Sequence, residues 1–351
     1  MSEPPHFDPL PERIDSETSL DALLSQPTPE VVEAVAQLES PLVVVGAGGK
    51  MGPTLCWMAR RAAEMAGSDL RVVAASRFSD DAKAAWLKAR GIDTVSVDVL
   101  DRASLDRLPD SPNVLMLVGL KFGTHSNPGL TWATNTLGPA AVCERYAGSR
   151  IVALSTGNVY PNAPVSGPGP AEDAPLTPVG EYANAAVARE RTLDYFSIRD
   201  ATPIAKLRLN YAVEMRYGVL LDIADKVWSQ APIDLANGTV NVIWQGDANA
   251  FILRSFGLAS VPASAWNLSS PIAYSVRALA TAFGQRLGRE PRFVGTEAED
   301  ALLTNASALT GRFGAPATSV ERVIDWIVDW TRNGGVRWGK STGFETRDGR
   351  F

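Results

Sequence analysis

The chain has 351 residues and a formal net charge of −6, with 45% apolar and 21% charged residues. This length and composition are typical of a globular protein with a sizeable core, either one large α/β domain or a nucleotide-binding core with a smaller lobe. The acidic balance offers no basic stripe for nucleic acid or anionic lipid, and the longest apolar run is strand-sized. We therefore expect no nucleic-acid partner and no membrane partner.

Cysteines and histidines are too few for a metal centre. Cys56 and Cys143 lie in stretches that read as helix and lack metal-binding spacing, and His6 and His125 are the only histidines. We expect reduced, buried cysteines, no metal site and no Ser-His-Asp triad. The acidic, proline-rich N-terminus is unlike a signal peptide, so we expect a cytoplasmic location.

Residues 1–40 are predicted to form an N-terminal arm and helix. The first 16 or so are rich in Pro, Asp and Glu and are expected to be loose. One or two short helices follow, the second capped by Thr28 with Pro29 at its first helical position.

From residue 41 strands and helices alternate, which predicts a parallel sheet with helices on both faces. Strands are predicted over 41–49, 70–77, 94–99, 113–120, 149–156 and 202–212, and helices over 51–67, 79–90, 102–108 and 134–147. A Pro- and Gly-rich loop over 160–180 leads to a helix beginning near Tyr182. Long loops inside a compact domain are usually functional.

The remainder of the chain is less regular. Residues 41–235 are predicted to be mainly core and residues 236–335 mainly a lobe interleaved with it, with short strands at 239–245 and 265–270. Helices are predicted over 273–287 and 319–335. Residues 336–351 are expected to be an extended tail that folds back over a cleft or reaches across a dimer.

The first strand ends in a glycine loop, "VVVGAGGKMGPTL". Gly46, Gly49 and Gly52 are three apart where the strand meets a helix, and only a chain without Cβ atoms lets a pyrophosphate approach the backbone there. The helix that follows offers free N–H groups to the phosphates. The loop, with Lys50 and Met51, is predicted to bind a dinucleotide.

The second strand ends in Ser76 and Arg77, where NAD-binding folds usually carry an acidic residue. An arginine can bind a 2′-phosphate that a carboxylate would repel, so the pair favours NADP over NAD, although NAD stays compatible. Asp98 and Val99, after the third strand, and Gly119, after the fourth, complete the predicted cofactor contacts.

Four features together resemble the extended short-chain dehydrogenase/reductase group, the NAD-dependent epimerase/dehydratase family. They are the glycine loop, Asp98, the sequence "STGNVY" at 155–160, and Tyr182 opening a helix. The resemblance runs from about residue 41 to 332. It implies a Rossmann-type α/β fold, a doubly wound parallel sheet with a small C-terminal substrate lobe.

The resemblance also implies roles for individual residues. Tyr182 would contact the cofactor and would move a substrate hydroxyl proton while hydride passes to or from the nicotinamide. Thr156, with Ser155 beside it, would hydrogen-bond the same substrate oxygen, and Asn158 would face the substrate. A homodimer through helices that flank the active site is expected as well.

One residue departs from the family. The usual lysine four residues after the tyrosine is replaced by Ala186, and a tyrosine without a nearby cation is a poor base at neutral pH. Another cation could take its place, with Lys121 as the candidate. Arg189 looks too remote from Tyr182, and the direction of the Lys206 side chain is left open. Alternatively, a neutral tyrosine suffices as proton donor, or the chain binds cofactor without turnover.

The substrate region departs too. Counting back from Asp247, Val240 occupies the position of an arginine that clamps the diphosphate of nucleotide sugars, which favours a smaller polyol, sugar or sugar acid. The polar groups expected nearest the substrate are Arg208, Asn210, Glu214 and Arg216, although Arg216 could equally be a surface or interface charge.

The sequence thus predicts an NAD(P)-dependent oxidoreductase or epimerase that acts on a hydroxyl carbon of a small carbohydrate. Two alternatives stay open: a non-catalytic dinucleotide-binding sensor, and a nucleotide-sugar epimerase or dehydratase.

Overall fold

The computed structural model describes residues 9–123, 126–340 and 342–350. His6 and His125 lie outside these ranges. The α-helices are α1 (Glu17–Leu24), α2 (Pro29–Ala36), α3 (Gly52–Met65), α4 (Asp81–Lys88), α5 (Arg102–Leu105), α6 (Pro128–Arg145), α7 (Glu181–Arg199), α8 (Val219–Ser229), α9 (Gln245–Arg254), α10 (Val276–Leu287), α11 (Ser307–Phe313) and α12 (Val320–Arg332). The strands are β1 (Leu42–Val45), β2 (Val72–Ser76), β3 (Asp93–Ser96), β4 (Asn113–Met116), β5 (Arg150–Thr156), β6 (Ala163–Pro164), β7 (Ile204–Leu209), β8 (Ala212–Val213), β9 (Pro232–Asp234), β10 (Thr239–Val240), β11 (Ile243–Trp244), β12 (Ser264–Leu268), β13 (Tyr274–Ser275), β14 (Arg292–Val294) and β15 (Asp300–Ala301).

A seven-stranded sheet in the order β12-β7-β5-β4-β1-β2-β3 forms the centre of the fold. All its neighbouring strands run parallel. The chain winds outward from β1 to β3 on one side and from β4 to β12 on the other, so the order reverses between β1 and β4. The predicted doubly wound Rossmann-type sheet is confirmed. In such sheets ligands bind at the carboxyl ends of the strands beside this reversal.

The described part of the N-terminal arm is not loose. Ile14 is buried, the carbonyl of Pro11 accepts a 3.0 Å hydrogen bond from the Trp326 indole, and Arg13 lies 3.3 Å from Asp329. These contacts hold the arm against α12, and they pair residues more than 300 positions apart, which no local pattern reveals. Thr28 caps α2 as predicted.

Two boundaries differ from the prediction because of local chemistry. Helix α6 begins at Pro128 rather than at residue 134, since the side chain of Asn127 accepts the N–H of Leu130 and proline suits the first helical position. Strand β4 stops at Met116, and residues 117–120 leave the sheet towards the cofactor cavity described below.

The lobe is built from short paired strands and three packed helices. Helices α8, α10 and α12 enclose an apolar cluster that includes Trp326, Phe283 and Trp244. The predicted strand over 239–245 is two separate strands, β10 and β11, which pair with different partners. The predicted strand at 265–270 belongs instead to the main sheet, as its edge strand β12.

Candidate functional site

The glycine loop joins β1 to α3 and requires its glycines for two different reasons. Gly46 has φ +89°, and a Cβ there would lie 2.9 Å from the carbonyl carbon of Leu117. Gly52 begins α3, where a Cβ would lie 2.2 Å from the carbonyl oxygen of Ala47. The inner side of the loop therefore contacts the backbone of Leu117 and of Ala47. The outer side, at Gly49, is left open for a phosphate, and the N-terminus of α3 lies close behind it.

A cavity of about 270 Å³ opens beside this loop at the carboxyl ends of β1, β2 and β4. Seven of the predicted cofactor residues line it, namely Gly46, Gly49, Ser76, Arg77, Asp98, Val99 and Gly119. Lys50, Met51, Gly52 and Tyr182 are not among its lining residues. The glycine cradle and the position at the strand reversal fit the adenosine and phosphate part of a dinucleotide.

The end of β2 presents two cations to the cavity. Arg77 is exposed, and Lys83, in the first turn of α4, donates a 2.9 Å hydrogen bond to the carbonyl of Gly48. Sequence reasoning missed Lys83, whose only signal was its place in the first turn of the next helix. No carboxylate occupies the position of Ser76 and Arg77, although Asp80 also lines the cavity.

Lys50 reaches away from the phosphate side of the loop. Its ammonium donates a 2.7 Å hydrogen bond to the carbonyl of Ala212 and lies 4.5 Å from the centre of the Tyr217 ring. Burial lowers the pKa of Lys50 to about 8, opposed by the charge of Glu214 and assisted by those of Arg216 and Lys121. Lys50 thus connects the glycine loop to the lobe.

Thr156 and Tyr182, the two residues with implied catalytic roles, lie at the end of β5 and in the first turn of α7. Thr156 ends β5, and its hydroxyl accepts the N–H of Asn158 at 3.2 Å and contacts the side-chain oxygen of Asn158 at 3.1 Å. Tyr182 lies in the first turn of α7 and is 8% exposed. Burial raises the pKa of Tyr217, and the charges of Asp222, Tyr211 and Tyr182 act in the same direction.

Ser155 does not share the role expected for it. Neighbouring residues of a strand point to opposite faces of the sheet, and the Ser155 hydroxyl donates a 2.5 Å hydrogen bond to Glu190, which is fully buried. The expectation that Ser155 acts with Thr156 on a substrate oxygen is wrong for this arrangement.

Arg208 is also a core residue rather than a substrate ligand. Its Nε and Nη2 donate to the carboxylate of Glu190 at 3.0 and 2.7 Å, and its Nη1 donates to the Tyr160 hydroxyl at 2.5 Å. Burial alone would raise the pKa of Glu190, but the hydrogen bonds and charge of Arg208 outweigh it and hold that pKa below its ordinary value.

The other predicted substrate residues are bound inside the protein as well. The Asn210 amide donates to the side-chain oxygen of Asn241 at 2.7 Å. Arg216 forms ion pairs with Glu214, Asp21 and Glu17 at 3.3, 3.0 and 3.3 Å. Arg216 is thus neither a substrate ligand nor a surface charge, because it ties α1 to the lobe. Charge complementarity across 199 positions of sequence is invisible to local reasoning.

The candidate cations near Tyr182 lie in different places. Ala186 is fully buried and packs with Val159 and Tyr160. Lys206 forms an ion pair with Asp194, which turns it away from the candidate site. Lys121 follows β4 and is partly buried, which lowers its pKa to about 8.

Arg189 is closer to the cofactor cavity than the sequence suggested. Its guanidinium donates 3.0 Å hydrogen bonds to the carbonyl of Val118 and to the side chain of Asn135. Both Val118 and Gly119 line the cavity, and a Cβ on Gly119 would lie only 2.7 Å from Arg189 Nη1. Arg189 therefore lies next to the wall of the cavity, although no contact with Tyr182 is seen among the described residues.

The C-terminal tail lies on its own chain. The backbone N–H of Trp338 donates to the carbonyl of Arg216 at 3.1 Å, and its indole ring stacks on the Tyr217 ring with ring centres 6.2 Å apart. Near its end, the carbonyl of Gly349 is so close to Gly180 that a Cβ there would lie 2.3 Å away. Because Gly180 caps α7, the tail reaches the turn that positions Tyr182.

The described residues, 9–123, 126–340 and 342–350, include neither a membrane-spanning helix nor a cluster of metal-binding side chains. No helix in these ranges combines the length and apolar character needed to cross a membrane. Nor do they hold a group of three His, Cys, Asp or Glu side chains arranged to bind a metal ion.

Solved structures share this fold across most of the chain. UDP-glucose 4-epimerase from Thermus thermophilus in complex with NAD is 17% identical, with 83% of this chain and 99% of that one covered and a TM-score of 0.67. The dTDP-glucose 4,6-dehydratase from Bacillus anthracis in complex with NAD is 14% identical, with 84% of this chain and 97% of that one covered and a TM-score of 0.69. DesIV, a dTDP-glucose 4,6-dehydratase from Streptomyces venezuelae with NAD and TYD bound, is 16% identical, over 83% and 97%, at 0.70.

At these identities the likeness shows the fold. No curated protein sequence matches the chain. The model of the NAD dependent epimerase/dehydratase family matches residues 42–212, a stretch that holds the glycine loop, Thr156 and Tyr182. Over residues 42–212, the Rossmann core of this chain is therefore similar to the NAD dependent epimerase/dehydratase family.

Proposed function

We propose that this protein is an NAD(P)-dependent oxidoreductase or epimerase that acts on a hydroxyl-bearing carbon of a small carbohydrate. The observation that carries the proposal is the pairing of a dinucleotide-shaped glycine cradle with Thr156 and Tyr182 at the same carboxyl-end edge of the sheet. A bound nicotinamide would accept or supply the hydride. Tyr182 would donate or take the hydroxyl proton while the Thr156 hydroxyl holds the substrate oxygen.

We propose NADP as the preferred cofactor, with NAD also accepted. Arg77 and Lys83 both face the cavity at the end of β2, beside the hydroxyls of Ser76 and Ser79. Two cations and two hydroxyl groups suit a 2′-phosphate better than an unmodified ribose. The structural neighbours named above contain NAD, so this preference is a property proposed for the present chain alone.

A neutral carbohydrate fits the site better than an anionic one. Arg208 and Arg216, the two arginines expected nearest the substrate, are both paired with internal carboxylates. Val240, at the diphosphate-clamp position, is fully buried and carries no charge. A small sugar, polyol or lactone is therefore preferred to a nucleotide sugar, which stays the second substrate class to test.

The missing lysine supports one further candidate, a dinucleotide sensor without turnover. Ala186 cannot supply a charge to Tyr182, and a sensor needs only the cradle and the cavity. Retention of both Thr156 and Tyr182 in buried positions favours the enzyme.

We also propose a homodimer through α6 and α7. These two helices pack together and expose several large apolar side chains, which are Leu130, Trp132, Leu137, Tyr195 and Ile198. Large apolar side chains exposed on one helix pair suit burial against a second copy of the chain. Sedimentation equilibrium of the full chain tests the proposal, and a monomer at micromolar concentration would refute it.

The activity test offers NADPH or NADP with a panel of sugars, polyols, lactones and keto-sugars and follows the absorbance of reduced nicotinamide. Turnover of a neutral member is the expected result. Tyr182→Phe should lower kcat about 10²- to 10⁴-fold while cofactor affinity stays unchanged. Tyr195→Phe, an exposed tyrosine on the same helix, is the matched control. Cofactor binding without turnover of any panel member, nucleotide sugars included, would favour the sensor.

A further inference from the structure

Three arginines are buried in the part of the chain that the structure describes, and they differ in whether a carboxylate compensates their charge. Arg189, Arg208 and Arg216 are 2%, 4% and 7% exposed. Arg208 is paired with Glu190, and Arg216 with three carboxylates. Within residues 9–123, 126–340 and 342–350, no carboxylate forms an ion pair with Arg189. Its charge is thus buried without the compensation that its two counterparts have.

The hydrogen-bond donors of Arg189 are incompletely used as well. Nη1 donates to the carbonyl of Val118 and to the side-chain oxygen of Asn135. Nε is buried and has no hydrogen-bond partner among the described residues. Among the described residues, two neutral oxygens therefore accept hydrogen bonds from the Arg189 guanidinium, which has five N–H donors and a full positive charge.

The charge lies directly behind the wall of the cavity, which Arg189 itself does not line. The two residues next to the guanidinium, Val118 and Gly119, line that cavity, and the guanidinium occupies the space that a Cβ on Gly119 would need. Arg189 follows Tyr182 by seven residues, two turns along one face of α7. Side chains tilt towards the N-terminus of their helix, so Arg189 leans towards the end that carries Tyr182.

A buried charge is normally paired, because its desolvation is otherwise too costly. We infer that Arg189 is a cofactor-binding residue whose positive charge is completed by the bound dinucleotide. The inference rests on the dinucleotide binding proposed above. It requires no substrate and no turnover.

Three variants at position 189 test the inference by titration with NADPH, followed by calorimetry or by quenching of tryptophan fluorescence. Arg189→Met and Arg189→Gln remove the charge and should weaken NADPH binding about 10- to 100-fold, the loss of a charge-assisted hydrogen bond. Arg189→Lys keeps a positive charge but loses the guanidinium geometry, so it should weaken binding less than Arg189→Met or Arg189→Gln does. Arg208→Met, which disrupts a paired arginine, is the matched control.

Thermal unfolding with and without NADPH separates cofactor binding from a purely structural role. The increment in Tm that NADPH produces should shrink in Arg189→Met and Arg189→Gln, because ligand stabilisation follows affinity. Arg208→Met should lower the Tm of the cofactor-free protein instead and keep the increment, if enough of it folds. Arg189→Gln retains an amide donor for Asn135 or Val118, so it answers the question if the methionine variant does not fold.

The outcomes distinguish the two proposals. If the wild type binds neither NADPH nor NADH, the proposed cofactor and the role of Arg189 are both overturned. If the wild type binds and Arg189→Met and Arg189→Gln bind equally well, only the role of Arg189 is overturned. If NADPH raises the Tm of the Arg189 variants as much as that of the wild type, while the Tm of the cofactor-free variants is lower, the role of Arg189 is purely structural.

Discussion

Replacing Arg208 with methionine tests whether this arginine serves the core or the substrate. The sequence suggested a substrate ligand, whereas the structure buries Arg208 against Glu190, Ser155 and Tyr160. The substitution would leave the Glu190 carboxylate fully buried with only the Ser155 hydroxyl and, at 4.0 Å, the Lys206 ammonium nearby. We expect a loss of stability rather than a loss of substrate affinity.

The size of the loss follows from the burial of the pair. Removing one partner of a buried ion pair costs about 3–5 kcal/mol. For 351 residues the unfolding entropy near the midpoint is about 0.7 kcal/mol per degree, so Tm should fall by about 4–7 °C. Because Lys206 leaves Glu190 some residual charge compensation, we expect the lower part of this range.

The loss should depend on pH with a defined sign. In the wild type the pKa of Glu190 lies below its unfolded value of 4.5, so its contribution to stability is present above that pH and is lost as pH falls through the folded-state pKa. Without Arg208, burial would raise the pKa of Glu190 instead. The variant should then lose stability progressively as pH rises from about 4.5 to 8, because the unfolded state releases the proton more readily.

The assay is thermal unfolding by circular dichroism between pH 5 and 8. The control is the double variant Arg208→Met/Glu190→Gln, which removes both charges and should recover most of the lost Tm because no charge stays buried alone. An unchanged Tm and pH profile for Arg208→Met, combined with a higher KM for a substrate, would refute this reasoning and restore the substrate role.

Three further outcomes are expected. Arg77→Ser should weaken NADPH binding about 10- to 100-fold and leave NADH binding unchanged, as measured by titration; equal effects on both cofactors would contradict the 2′-phosphate assignment. Burial raises the pKa of Asp247 to about 6, so its charged form destabilises the fold as pH rises from 3.8 through 6. Asp247→Asn should therefore unfold at higher urea at pH 7.5, by up to about 3 kcal/mol, and an equal or lower midpoint would contradict this. Gly349→Ala should speed tryptic cleavage at Arg347, because a Cβ there would lie 2.2 Å from the carbonyl of Val179, whereas Gly334→Ala, with a similar positive φ but open space, should not.

The sequence by itself determined the fold class and the cofactor cradle of this protein. Alternating buried strands and helices have local periodicities, and Gly49 and Gly52 are required by backbone atoms of Gly46 and Ala47, which are close in sequence. The same holds for Thr156 and Tyr182, which local motifs place at the end of β5 and the start of α7.

Only the tertiary structure decided what each charged side chain faces. Arg208 and Arg216 looked like substrate ligands until Glu190, Asp21 and Glu17 were seen to neutralise them, and Arg189 looked remote until its side chain was seen to reach Val118. A residue's type and spacing set its chemistry, but the charge that completes a buried ion pair comes from a distant part of the chain. Its identity depends on packing in three dimensions, which no local pattern encodes.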